Sequence, residues 1–219
     1  IGAAVRAARD GARVLLVESQ GMLGGTWTTA MQVHATCFFS GGRVINGGLA
    51  REIIDRLARD GHAEDPVQKI AETPRAEAVH FEPEWMKCIL DDVVTEAGVE
   101  LLLHTVCVDT IVEDGAVCGV ITESKSGRRA IRAGVTIDCT GDGDIAFRAG
   151  AAMQQGRESD GRCQPVNTTF LLAGVDYDRA LAWGLAQPGI TRKLAAQARE
   201  AGELDAGVEI RGVGARTMY

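Results

Sequence analysis

Four segments of this chain occur in an order that few folds accommodate. They are an alanine-rich helical stretch over residues 2–10, an apolar run over 12–17 that ends in Glu18, the loop Leu23-Gly24-Gly25, and far downstream Thr140-Gly141-Asp142-Gly143-Asp144. Ala3, Ala4, Ala7 and Ala8 allow a helix to lie close against a sheet, and an acid at the end of the next strand can accept hydrogen bonds from ribose hydroxyls. Glu18 is therefore the first candidate site residue. Glycine turns that follow strands aim backbone N–H groups and a helix dipole at the carboxyl edge of a sheet, where a pyrophosphate can be held. The 23–25 loop and the 140–144 turn both follow predicted strands, so both can converge on one dinucleotide.

In such an arrangement a glycine-rich turn precedes the first helix, and the acid follows its first glycine by about 20 residues. Counting back from Glu18 places that turn just before Ile1, and Gly2 alone cannot replace it. The chain reads as a fragment lacking its first strand and phosphate loop.

The rest of the pattern fits an α/β protein. Residues 12–17 are almost continuously apolar, which suggests a parallel strand covered on both faces. Leu49, Ile53, Ile54 and Leu57 recur at helical spacing before Gly61, as do Trp85, Met86, Ile89, Leu90, Val93 and Val94 between Pro83 and Gly98. Residues 19–48 are glycine-rich and polar, with a short helix expected near 28–33, and 61–80 read as a loop or part of a small inserted subdomain. From Val99 the pattern changes to strands over 100–104, 107–113, 116–123 and 128–132, with Asp114-Gly115 and Ser126-Gly127 as hairpin turns. A buried strand is expected over 135–139, a helix over 144–149, a further strand over 167–173, and helices over 179–185 and 191–201.

Composition excludes several classes. The hydrophobic content of 46% suits a folded core, while a net charge of -7 and no basic run longer than Arg128-Arg129 argue against a nucleic-acid partner. The best apolar run, 99–108, contains Glu100 and His104 and falls short of the roughly 20 residues that cross a bilayer. Six scattered cysteines (Cys37, Cys88, Cys107, Cys118, Cys139, Cys163) form no CxxC pair. That argues against a metal site and a redox dithiol, and favours a reducing cytoplasm, with most thiols acting as small core hydrophobes.

Taken singly, each site feature has an ordinary structural explanation. Glu18 can end a strand for solubility, Gly24 and Gly25 can make a tight turn, and Asp142 and Asp144 can cap the following helix. Their shared order is what resembles the FAD-dependent oxidoreductases among glutathione-reductase-like flavoproteins, in the broad group that includes fumarate-reductase-type enzymes. The resemblance covers about residues 1–176. It rests on GARVLLVES, GMLGGTWTT, FEPEWMKCILDDVVTEAGVELLLHT and IVEDGAVCGVITESKSGRRAIRAGVTIDCTGDGD, followed by RAGA and QP. Cys139 stands where alanine is usual before Thr-Gly-Asp.

That resemblance implies a Rossmann-like FAD/NAD(P)-binding domain with an inserted β-meander, spanning 1–165 with 40–80 as an inserted subdomain, and the start of a substrate domain over 166–219. It implies that Glu18 holds the adenosine ribose, that Gly24, Gly25 and Thr28 line the pyrophosphate and flavin, and that Val106 meets adenine through its backbone. Thr140, Gly141 and Asp142 would contact the pyrophosphate and ribityl chain. The implied activity is hydride transfer between a small organic substrate and flavin N5.

A flavin carries its own redox chemistry, so the protein supplies placement and proton handling rather than a nucleophile. His34, which follows the loop expected near the flavin, is the acid/base candidate because an unperturbed imidazole titrates at about pH 6.5. A hydrogen-bonded structural histidine is the competing reading. His62 and His80 are expected to face solvent and His104 to be structural. Arg157, Arg162 and Gln164 could meet an anion or form a solvated loop. Two rival functions are a non-catalytic fragment that no longer binds FAD and an NAD-binding dehydrogenase, which the 23–25 loop and meander fit poorly.

Overall fold

The computed structural model describes residues 1–164, 166, 169, 170 and 172–203, with Tyr177 described by its backbone alone. It divides into two compact units, residues 1–169 and 170–219.

The first unit opens with helix α1 (Gly2–Arg9), which buries Ala4 and Val5. Strand β1 (Leu15–Val17) follows. It pairs in parallel with β6 (Glu100–Leu102), Leu16 opposite Leu101. Parallel strands need a long crossover, and here it runs through β2 (His34–Thr36), β3 (Phe39–Ser40), β4 (Arg43–Val44) and helix α2 (Gly48–Arg59). It continues through α3 (Pro66–Glu72), β5 (Ala78–His80) and α4 (Pro83–Glu96).

The expected apolar stripes form the core. Ile53, Ile54 and Leu57 of α2 and Met86, Leu90, Val93 and Val94 of α4 are buried together with Leu23, Phe38 and Val79. Residues 40–80 thus contribute to the same core as α1 and α4. Arg9 donates to both oxygens of Glu52, and Arg56 bridges Glu52 and Glu96, tying α1, α2 and α4 along their exposed edge.

The meander is an antiparallel sheet of β7 (Val106–Glu113), β8 (Ala116–Ser124) and β9 (Gly127–Arg132), in the order β7-β8-β9. The short helix α5 (Asp144–Arg148) hydrogen-bonds to β7, the Thr110 hydroxyl donating to the Ile145 carbonyl at 3.1 Å. In the second unit, Asp176 caps α6 (Tyr177–Leu185) by accepting from the Arg179 N–H, and α7 (Ile190–Glu200) follows.

Several expectations change. The strand over 12–17 is only three residues long, Leu15–Val17, and Leu15 is 39% exposed, so the segment is not covered on both faces. Residues 135–139 are not a strand: no ladder partner lies beside them among the described residues, and Val135 and Ile137 are 80% and 60% exposed. The 61–80 stretch is not a loop but holds α3, which Asp65 caps by accepting from the Val67 and Gln68 N–H groups, and β5. Instead of a helix over 28–33 there is a 3-10 turn, Gly25–Trp27. The strand expected over 167–173 falls partly outside the described residues, and the described positions 169, 170, 172 and 173 are not in a strand. The cysteines are not core hydrophobes, since four are exposed and two half-buried.

Candidate functional site

Glu18 and Val106 share the carboxyl rim of the parallel pair. The Glu18 N–H donates to the Leu102 carbonyl at 2.9 Å, and Thr105 N–H donates to the Glu18 carbonyl at 3.0 Å. The Glu18 Oε1 atom accepts from the Gln20 N–H at 2.8 Å and from the Ser19 hydroxyl at 3.1 Å. Oε2 has no hydrogen-bond donor among the described residues, so one carboxylate oxygen is open for a ligand hydroxyl. His104 lies on the same rim with a left-handed φ of 50°, its ring packed against Gly21.

The 24–28 loop is built inward. Thr28 is buried, and its hydroxyl donates to the Leu23 carbonyl at 2.6 Å. Gly24 has φ 109°, and a side chain there would stand 2.7 Å from Leu90 and from Thr28. The Thr28 hydroxyl is thus committed to the turn, and Gly24 allows its close packing. Gly25, with open space on its Cβ side, is the member that leaves room for one. Trp27 packs edge-on against Phe81 with ring centroids 5.6 Å apart, and Phe81 N–H donates to the Val33 carbonyl. His34 thereby sits next to this loop.

The third group is organised by a residue that sequence reasoning missed. Asp138 accepts from the Thr140 N–H and hydroxyl on Oδ1 and from the Ile145 and Ala146 N–H groups on Oδ2, at 2.8 to 3.0 Å. The Thr140 hydroxyl in turn accepts from the Asp144 N–H. Asp138, not Asp142 or Asp144, is therefore the cap of α5. An acid closing the apolar 135–137 run was the available signal, but its seven- and eight-residue reach lies outside local capping patterns. Burial pushes the Asp138 pKa up, but hydrogen bonds from Thr140, Ala146 and Ile145 outweigh this and hold the carboxyl below the usual carboxylate range.

Asp138 thus occupies the donors of the first turn of α5. The N–H groups of Gly141, Asp142 and Gly143 donate to nothing among the described residues and remain open to an anion. The region contacts β7 through the Thr110 hydroxyl, which donates to the Ile145 carbonyl, and burial, then the nearby Asp138 carboxylate, raises the pKa of Cys107, the residue after Val106. Among the described residues no hydrogen bond joins 140–142 directly to Glu18 or to the 24–28 loop.

His34 pairs with His80 across β2 and β5, ring centroids 5.9 Å apart. Burial, then His80, lowers its pKa. Neither His80 nor His62 stands free in solvent as expected. His80 Nδ1 lies 3.1 Å from Glu64 Oε2, and His62 Nδ1 lies 3.1 Å from Glu82 while its ring stacks on Trp85 at 3.9 Å. Arg157 is paired with Asp160 in an exposed loop, which favours the solvated reading of that segment. No group of three metal-ligating side chains occurs among the described residues, nor is any helix among them long and apolar enough to cross a membrane.

A family model described as FAD dependent oxidoreductase matches residues 1–211. No curated protein matches the chain. Among solved structures it is similar to Thermovibrio ammonificans THI4, with 16% identity over 67% of this chain and 55% of that one and a TM-score of 0.46. It is also similar to L-proline dehydrogenase from P.horikoshii, with 15% identity over 67% of this chain and 52% of that one and a TM-score of 0.41. Glycerol-3-phosphate dehydrogenase from Bacillus halodurans, solved with FAD, matches at 16% identity over 60% of this chain and 30% of that one, with a TM-score of 0.37. The chain spans 30% to 55% of the length of these three structures.

Proposed function

The chain belongs to the family of FAD dependent oxidoreductases, and from that premise we propose that it holds FAD along the β1–β6–β7 rim for hydride exchange with a small organic substrate. The observation that carries this reading is the open carboxylate oxygen of Glu18 on the rim it shares with Val106, the two segments joined where the Thr105 N–H donates to the Glu18 carbonyl. The free oxygen of Glu18 suits the vicinal hydroxyls of the adenosine ribose, since a carboxylate can accept from both. The backbone of Val106 suits an adenine edge. The open N–H groups of Gly141, Asp142 and Gly143, with Thr140 fixed behind them by Asp138, suit the pyrophosphate and ribityl chain. Gly25 leaves space where the flavin end would approach, and Gly24 and Thr28 hold that loop in place.

Bound FAD supplies a hydride acceptor or donor at N5. The protein then has to orient the substrate and exclude water, and His34 beside the 24–28 loop is the candidate polar group for orienting it. Six unpaired thiols fit a reducing cytoplasm.

The second reading is that this polypeptide no longer holds FAD. It is favoured by Asp138, which already takes the first-turn donors of α5, and by the Thr28 hydroxyl, which is committed to Leu23. Absorbance of the purified protein and a fluorescence titration with FAD decide between them. Retained or saturable FAD supports the first reading, with Glu18→Ala weakening binding by roughly tenfold or more. No binding by the wild-type chain establishes the second. Loss of NAD affinity in Glu18→Ala, with FAD affinity unchanged, would point instead to an NAD-binding protein.

A further inference from the structure

The His34–His80 pair is asymmetric. His80 is anchored twice to one oxygen, its backbone N–H donating to Glu64 Oε2 at 2.9 Å and its Nδ1 standing 3.1 Å from the same atom. Lys69 Nζ holds the other Glu64 oxygen at 2.7 Å. Burial raises the Glu64 pKa, but the Lys69 and His80 hydrogen bonds outweigh it, so Glu64 is a charged acceptor and Nδ1 of His80 carries the hydrogen. His34 has no such partner among the described residues: its Nδ1 is buried and makes no hydrogen bond with any of them.

A neutral imidazole carries one N–H, and the environment of the other nitrogen selects which. A hydrogen on Nδ1 of His34 would bury an unsatisfied donor, whereas a bare Nδ1 buries only a lone pair, the less costly arrangement. The hydrogen therefore belongs on Nε2. Adding a second proton would place it on the enclosed Nδ1. The titratable group beside this ring is His80 on β5, and Glu64 before α3, itself held by Lys69 on α3, stands on the His80 ring.

We propose that Glu64 and His80 are positioning residues that hold His34 as a neutral Nε2–H imidazole, a fixed hydrogen-bond donor to an oxygen of the substrate rather than a proton-transferring acid or base. A neutral imidazole used in this way polarises a carbonyl without exchanging a proton. The identity of that oxygen rests on the oxidoreductase reading; the state of the ring does not.

Long-range proton–nitrogen correlation spectra of the nitrogen-labelled full chain between about pH 5 and 8 test this, with His34→Gln assigning the resonances. The expected result is the Nε2–H pattern for His34 and a titration midpoint below about 6.5. His80→Gln is expected to shift that midpoint upward, and Glu64→Gln to remove the Nδ1–H preference of His80. An Nδ1–H pattern for His34, or a midpoint at or above the ordinary value, overturns the proposal. An unchanged midpoint in folded His80→Gln overturns the role of His80. The wild-type spectrum is decisive for the ring even where a variant does not fold. No FAD need be bound, so failure of the cofactor reading and failure of this one are read separately.

Discussion

Asp138 draws the Thr140 turn and the start of α5 onto one carboxylate, and its removal tests how far the turn depends on it. Asp138→Asn keeps the volume but loses the charge and one acceptor set, and should cost about 1–2 kcal/mol of stability, visible as faster amide exchange at Ile145 and Ala146. The pH dependence has a definite sign. Because the folded pKa of Asp138 is depressed, its contribution is full above the unfolded value of about 3.9 and is lost as pH falls through the folded one. The lowered pKa of His34 acts in a separate window: the unfolded chain takes up the proton first, so stability falls as pH drops below about 6.5 towards the folded value. Equilibrium unfolding of wild type and His34→Gln from pH 7 to 5 separates the two. A wild-type slope that His34→Gln leaves unchanged would count against the neutral ring.

At the scale of elements, the packing of α2 on α4 carries the first unit. Leu57 is fully buried among α4 side chains and Val79, so Leu57→Ala should destabilise by about 2–5 kcal/mol, read as a lower denaturant midpoint. The Arg9–Glu52–Arg56–Glu96 ion network on the same helices is largely solvated, and Arg56→Ala should matter less and chiefly at low salt. A larger loss for Arg56→Ala than for Leu57→Ala would reverse this order. Both helices were legible in the sequence because an amphipathic stripe is a local periodic signal. α3 was not: it is seven residues long, and its Asp65 cap followed by Pro66 was passed over because no apolar period accompanied it.

For the whole first unit, burial is uneven. Its large apolar cluster is confined to residues between Ala4 and Val99, while β9 is mostly exposed. Hydrogen exchange should therefore give the strongest protection at Leu90, Val93 and Val94 of α4 and the weakest among strand amides in β9, since regions with few buried apolar contacts open at lower free energy. Equal protection in the two would mean that the meander and the helical core unfold as one cooperative unit.

Helix periodicity, hairpin turns and the order of Glu18, Gly24-Gly25 and the 140–144 turn were determined by the chain itself, because each depends on residues a few positions apart. They were enough to identify the α/β class and the family. Only the tertiary structure decided which polar groups are already engaged: that Asp138 caps α5, that Thr28 turns inward, and that Glu64 reaches sixteen residues to His80. It also decided that residues 135–139 carry no ladder partner among the described residues. Strand pairing, burial and carboxylate pairing join residues far apart in sequence, and apolar character alone does not say which neighbour a segment will meet.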